Sequence, residues 1–259
     1  MFKLNAFLLA SSVFASCAAN ATIVEFQTTH GSFQVNLFDE STPQTVDNFL
    51  QYVQQERYKE SVIHRVIPEF VVQAGGFKYD GEIPLTPIET FDPVANEPKW
   101  SNVAGTIAMA KVEGRPDSAT SQWFFNLVDN SANLDVSNGG FTVFGQIMGD
   151  GMAVLEAISE VPRCGNVPLV DYTDEQCKDS SSEPGAANFV TINSVVIIDD
   201  AANTAQDLDP VANTLIDQQP DPDDNDNSNN DAGSSGGSMF GTLALLAGLL
   251  GFRRRKVWC

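Results

Sequence analysis

A mainly β, single-domain fold, an antiparallel barrel or sandwich over residues 22–198, is what the sequence predicts, and three observations carry it. Short runs rich in Val, Ile, Phe and Thr recur through the middle of the chain, bounded by Gly and Pro. Only two runs space their apolar residues at helical intervals. Both ends differ in composition from the middle, so the folded part is shorter than the 259 residues suggest.

The elements follow in order. Residues 1–21 carry Lys3, an apolar run over 6–15 and a small-residue end at Ala19-Asn20-Ala21, the layout of a secretory signal cleaved after Ala21. A lipoprotein reading through Cys17 ranks second, because Phe14 rather than a Leu-like aliphatic stands three residues before it. Residues 23–28 and 33–37 are β-type runs joined around His30-Gly31, which predicts a hairpin. Thr42 is placed to cap a helix that Pro43 begins, and Val46, Phe49, Leu50 and Val53 give that helix its core-facing stripe. Two strands over 62–67 and 70–73 are split by Pro68. Residues 80–99 hold Pro84, Pro87, Pro93 and Pro98 and read as an irregular surface excursion. Strands follow over 105–110, 121–127 and 141–147. A short helix over 151–158 buries Met152, Leu155 and Ile158, and 190–198 is the closing strand.

Residues 63–77 read I-H-R-V-I-P-E-F-V-V-Q-A-G-G-F, an apolar stretch with Arg65 and Gln73 set inside it. In a half-buried strand such side chains face either solvent or a lined pocket, and alternation lets Arg65 share a face with Ile63 and Ile67. The stretch alone leaves both directions open.

Charge narrows the class. The formal net charge is −20, and residues 199–238 hold ten aspartates with no Lys or Arg. Affinity for phosphates comes from an excess of cations, and this chain has 14 Lys and Arg against 34 Asp and Glu, which disfavours nucleic-acid binding. Residues 199–238 have too little apolar surface to offset the entropy of ordering and read as a disordered acidic linker. Its D-P-D-D-N-D run lacks the Gly and Glu of a calcium loop. Residues 239–259 hold an apolar run over 239–252 followed by Arg253, Arg254, Arg255 and Lys256, a short membrane anchor whose basic end stays cytoplasmic.

Of four cysteines, Cys17 and Cys259 lie in the two terminal segments. That leaves Cys164 and Cys177 as an even pair in an oxidising compartment, which predicts a disulfide. Two histidines and no Cys/His cluster give no metal site.

Three ordered blocks then carry a family resemblance. The run I-H-R-V-I-P-E-F-V-V-Q-A-G-G over 63–76, A-M-A-K over 108–111 leading to S-A-T-S-Q-W-F-F-N over 118–126, and N-L-D-V-S-N-G-G-F-T-V-F-G over 133–145 resemble a cyclophilin of the bacterial exported branch. The tail after Gly236-Gly237-Ser238 resembles a GlyGly-CTERM sorting signal, which implies an inner-membrane anchor removed by a rhomboid-type protease. The resemblance implies an eight-stranded antiparallel closed barrel capped by two α-helices, and peptidyl-prolyl cis–trans isomerisation without nucleophile, metal or cofactor. It implies that Arg65, Phe70 and Gln73 are catalytic. Val71, Ala110, Lys111, Gln122, Phe124, Leu134 and Phe141 are implied as substrate-binding, with Ala110 and Lys111 acting through their backbone.

The partners implied are proline-containing polypeptides, met by a monomer in the periplasm or at the surface of a Gram-negative cell. His64 is read as a structural histidine. Ile63, Val71, Asn133 and Phe141 depart from the family pattern, and Asn133 in place of Trp implies weak inhibition by cyclosporin. The rival reading is a binding module or chaperone that has lost turnover; the presence of Arg65 and Phe70 speaks against it.

Overall fold

The structure is a computed structural model that describes residues 22–201, 205 and 208–218. The leader over 1–21 and the apolar tail over 239–259 lie outside the described residues. Among the described residues no helix is long and apolar enough to cross a membrane.

The hairpin falls where His30-Gly31 predicts it. Strands β1 (Ile23–Thr28) and β2 (Gly31–Leu37) pair antiparallel with Thr28 opposite Gly31. Helix α1 (Pro43–Gln54) buries Val46, Phe49, Tyr52 and Val53 along one side, but Thr42 does not cap it. The Thr42 hydroxyl donates back to Phe38 O, and the cap comes from 52 residues away: Glu97 accepts from Thr45 N at 2.9 Å and Thr45 Oγ1 at 2.8 Å. A carboxylate at a helix N-terminus satisfies free amides and faces the positive end of the helix dipole. The excursion over 80–99 therefore does more than cross the surface, since it delivers buried Glu97 and also Ile88 to the core.

Next come β3 (Ser61–Val62), β4 (Arg65–Ile67), β5 (Val71–Ala74), β6 (Phe77–Lys78) and β7 (Thr86–Pro87). The strand expected over 62–67 is broken at Ile63 and His64. Ile63 is buried in the main core and so is Val66, three residues on, so strict alternation does not run through the break. Arg65 thus shares its partly exposed side with Ile67 and not with Ile63. The remaining elements are β8 (Thr106–Met109), β9 (Trp123–Asn126), α2 (Ser131–Leu134), β10 (Val143–Ile147), α3 (Gly151–Ser159), β11 (Arg163–Cys164), β12 (Val167–Pro168), α4 (Asp174–Lys178) and β13 (Thr191–Asp199).

Eleven strands form one antiparallel sheet in the order β4-β5-β9-β8-β10-β2-β1-β13-β3-β6-β7, and β11 and β12 make a separate hairpin. This corrects the expectation of an eight-stranded closed barrel with two caps: the ladder is open, β4 and β7 are its ends, and four α-helices are present among the described residues. The break at residues 63 and 64 turns one expected strand into two that serve opposite flanks. Because only those two residues join β3 to β4, the sheet must curl to bring its flanks together.

Period-two alternation sorts the side chains into two apolar clusters. On β9, Trp123 and Phe125 enter the main core while Phe124 enters the second cluster. The main core is built on rings, with Phe26 edge-on to Trp123 at 5.2 Å and to Phe125 at 5.5 Å; such geometry suits the ring quadrupoles. Gly75 follows β5 at φ +77°, where an added Cβ would lie 2.6 Å from Ser121 O and 2.7 Å from Trp123 Nε1. We expect Gly75→Ala to lose about 2 kcal/mol through left-handed strain and overpacking. Urea titration checks it; an unchanged midpoint would contradict the crowding.

Cys164 and Cys177 are disulfide-bonded. The acidic linker reading needs shortening. Residues 208–218 dock on the domain: Ala212 bridges Trp100 antiparallel, Ser101 N donates to Val211 O at 2.8 Å, and Asn213 is buried. Composition averaged over 199–238 hides the four large aliphatic residues Leu208, Val211, Leu215 and Ile216 near its start.

Candidate active site

Register brings the two polar residues of the 63–77 stretch together. β4 and β5 form a tight hairpin through Pro68, Glu69 and Phe70, with Glu69 at φ +55°, and Arg65 sits directly opposite Gln73. Opposed side chains on adjacent strands are in reach of one another. Arg65 Nη1 donates to Gln73 Oε1 at 3.0 Å, and Gln73 Nε2 donates to Gln122 Oε1 at 3.0 Å. The chain Arg65–Gln73–Gln122 fixes the guanidinium at the edge of the sheet. Arg65 is partly exposed, and burial of the rest lowers its pKa; at physiological pH it remains a cation.

Beside this chain lies the second apolar cluster. It contains Val71, Ala110, Phe124, Leu134 and Phe141, with Phe38, Ala108 and Val143, and Phe70 packs against it from a partly buried position. Phe70 is only partly buried, whereas Val71, Phe124, Leu134 and Phe141 beneath it are each at most 2% exposed. Phe124 and Phe141 meet edge to face at 5.7 Å. The Phe70 carbonyl is fixed by Leu127 N at 2.9 Å and Asn130 Nδ2 at 3.0 Å. All ten residues expected at the site are thus gathered on one flank, the polar three as a chain and the others in or beside the cluster.

Ala110 and Lys111 also make contacts within the fold. The Ala110 amide donates to Gln122 O at 2.9 Å and so is committed within the fold. The Lys111 side chain is buried and braces the loop before Phe141: Nζ donates to Asn138 O at 2.9 Å and to Gly140 O, and lies 4.9 Å from the Phe141 ring centre. Burial pushes the Lys111 ammonium down to about 8. Asn133, the departure from Trp, is exposed and accepts from Ser137 Oγ at 2.7 Å.

His64 follows the same logic as a structural residue. It stands edge-on to Phe77 at 4.9 Å, its Nδ1 has no hydrogen-bond partner, and burial, aided by the Arg65 charge, lowers its pKa to about 4. The folded chain therefore binds fewer protons than the unfolded chain between pH 6.5 and 4, so this histidine's contribution is present above pH 6.5 and lost as pH falls toward 4. We expect that fall to remove on the order of 2 kcal/mol, allowing for residual exposure. His64→Gln should flatten the stability profile in that window; identical profiles for both chains would contradict the buried neutral state.

Sequence reasoning missed the polar groups that hold the cluster's far side. Buried Asp135, next to Leu134, accepts from Ser101 Oγ, from Asn102 N at 2.7 Å and from Asn102 Nδ2 at 2.9 Å. Asn126 Nδ2 reaches Thr106 Oγ1 at 2.9 Å, and Asn130 Nδ2 reaches Asn126 Oδ1 at 2.8 Å. Single Asn and Asp residues carry no periodic signal.

Against known proteins, residues 23–178 match the family described as cyclophilin type peptidyl-prolyl cis-trans isomerase/CLD. A peptidyl-prolyl cis-trans isomerase of Acinetobacter baylyi is 36% identical over 165 residues, covering 62% of this chain and 85% of that protein. Peptidyl-prolyl cis-trans isomerase B of Escherichia coli is 37% identical over 145 residues, covering 54% and 85%. A solved cyclophilin type isomerase of Cryptosporidium parvum aligns with TM-score 0.49 and 22% identity, covering 70% of this chain and 99% of that one. With the family match spanning most of the chain and the strand-borne Arg65 and Gln73 paired beside one apolar cluster, the protein belongs to the cyclophilin-type peptidyl-prolyl cis–trans isomerases.

Proposed function

We propose that this chain is an exported folding catalyst that accelerates rotation about X-Pro bonds in proteins outside the cytoplasm. The observation that carries the reading is the Arg65 guanidinium, held by Gln73 beside Phe70 and its apolar bed. Rotation about a peptide bond has a barrier of about 18–20 kcal/mol, because amide resonance gives the C–N bond partial double-bond character. In the twisted state that resonance is lost and the prolyl nitrogen regains a lone pair. A donor aimed at this nitrogen binds the twisted state more strongly than either planar isomer, which is the differential binding that lowers a barrier. Arg65 is such a donor, and the apolar cluster beside it lowers the local dielectric and strengthens the bond. Phe70 packs against the proline ring, while Gln73 and Gln122 orient the guanidinium and meet the preceding residues. No proton transfer enters, so a neutral His64 next to Arg65 is consistent with the scheme.

Delivery is read from the terminal segments. Residues 1–21 serve as the secretory leader, and 239–259 as a temporary anchor for a monomer that ends in the periplasm, at the surface or outside the cell. Clients are exported polypeptides whose folding waits on a slow prolyl step. The test is the relaxation of an X-Pro peptide, followed with and without the chain from Thr22 onward. Acceleration well above the uncatalysed rate is expected, and none at micromolar protein would leave only a binding module.

A further inference from the structure

Residues 208–218 lie beyond the family match, which ends at 178, yet they contact the apolar cluster of the site and the residue next to Leu134. Asn213 is the centre of this contact. It is 6% exposed, its backbone N donates to Lys99 O at 2.9 Å, and its Nδ2 donates to Asp135 O at 2.9 Å. Its Oδ1 accepts from Leu215 N and Ile216 N, each at 3.1 Å, which turns the following chain back on itself. Asp135 directly follows Leu134 of the apolar cluster. The Asp135 carboxylate is held by Ser101 and Asn102, Asn102 Nδ2 also reaches Phe141 O at 3.2 Å, and Phe141 N donates to Leu134 O at 2.9 Å. Gly140 packs so closely in this corner that an added Cβ would lie 2.7 Å from Asp135 O and 3.4 Å from Asn213 Nδ2. Upstream, Leu208 packs on the same cluster as Phe70 and Trp100.

We propose that Asn213 is a positioning residue for the proline-binding wall: by donating to Asp135 O it locks the 134–141 loop that carries Leu134 and Phe141, so residues 208–218 are a working part of the isomerase domain. The proposal rests on reading that wall as part of the isomerase groove. The wall backs Phe70, which meets the proline ring alike in planar and twisted states, so loosening it weakens binding without altering the chemistry, and such a change appears in KM rather than kcat.

Two variants of the full chain separate this role from simple structural support. Asn213→Ala removes both functions of the side chain. Asn213→Asp keeps the acceptor for Leu215 and Ile216 but sets a carboxylate oxygen against the Asp135 carbonyl. Both should raise KM for an X-Pro peptide roughly tenfold, with kcat within about twofold, as loss of one buried hydrogen bond implies. Both should also speed amide hydrogen exchange at Gly140 and Phe141 at temperatures well below unfolding. Wild-type KM and exchange in Asn213→Asp would overturn the proposal and leave Asn213 as a local turn residue. A lowered melting temperature with unchanged KM and exchange would overturn it too. Should the wild-type chain fail to turn over, the isomerase reading falls, and the exchange comparison alone then upholds or overturns the positioning role.

Discussion

Replacing Arg65 by alanine is expected to lower kcat/KM for an X-Pro peptide by about 10²–10³, the range found when a preorganised donor to a developing lone pair is removed. The loss should fall mainly on kcat, because the guanidinium is called on when resonance breaks and less when the planar peptide docks. Arg65→Lys keeps the charge but not the planar fork, so one donor cannot both hold Gln73 Oε1 and face the substrate. We expect it to recover less than a tenth of the lost rate. Gln73→Ala should land between, since it frees the guanidinium to swing while leaving it in place. Stability is a needed control and should hardly change, as Arg65 lies at the partly exposed edge of the sheet. Equal relaxation rates for wild type and Arg65→Ala would remove Arg65 from the mechanism and return the chain to a binding role.

Why Arg65 and Gln73 could be picked out in advance, and Asn213 and Glu97 could not, has a physical answer. A charged and an amide side chain in an apolar strand conflict with local burial, and strand periodicity then limits where they can point. The conflict is visible within nine residues. Glu97 caps α1 from 52 residues away, and Asn213 reaches Asp135 across 78. Neither position differs locally from a solvated polar residue, so only tertiary contact gives it a role. The strands were legible for the same reason as Arg65: Trp123, Phe124 and Phe125 alternate between two clusters as a period of two requires. The break at Ile63 and His64 was hidden, because a buried Ile followed by a buried Val three residues on looks like one apolar run until the two halves pair with different neighbours. The open ladder and its eleven strands follow from that one interruption and from short pairings such as Ser61 with Lys78.

Reducing the Cys164–Cys177 bond, or replacing both residues by alanine, should cost about 3 kcal/mol, the chain-entropy value for a loop of this size. For a domain of this length that is a fall in melting temperature of roughly 6–12 °C. The loop it closes is more than a surface ornament. Leu169 and Tyr172 within it pack with Val62, Phe189 and Cys164 in a third apolar cluster, and Leu169 bridges Phe189 beside the start of β13. Asn166 O accepts from Val66 N at 2.7 Å, so the loop supplies the outer hydrogen-bond partner of the strand that carries Arg65. Loss of the cross-link therefore frees an edge as well as raising the entropy of the unfolded chain. Isomerase activity at 10 °C should fall several-fold less than in Arg65→Ala, because the β4–β5 pairing that orients Arg65 remains. Thermal unfolding with and without reductant measures the effect directly: coincident curves would mean that packing of Leu169 and Tyr172 alone holds the loop, and that β4 owes its outer edge to that packing and not to the cross-link.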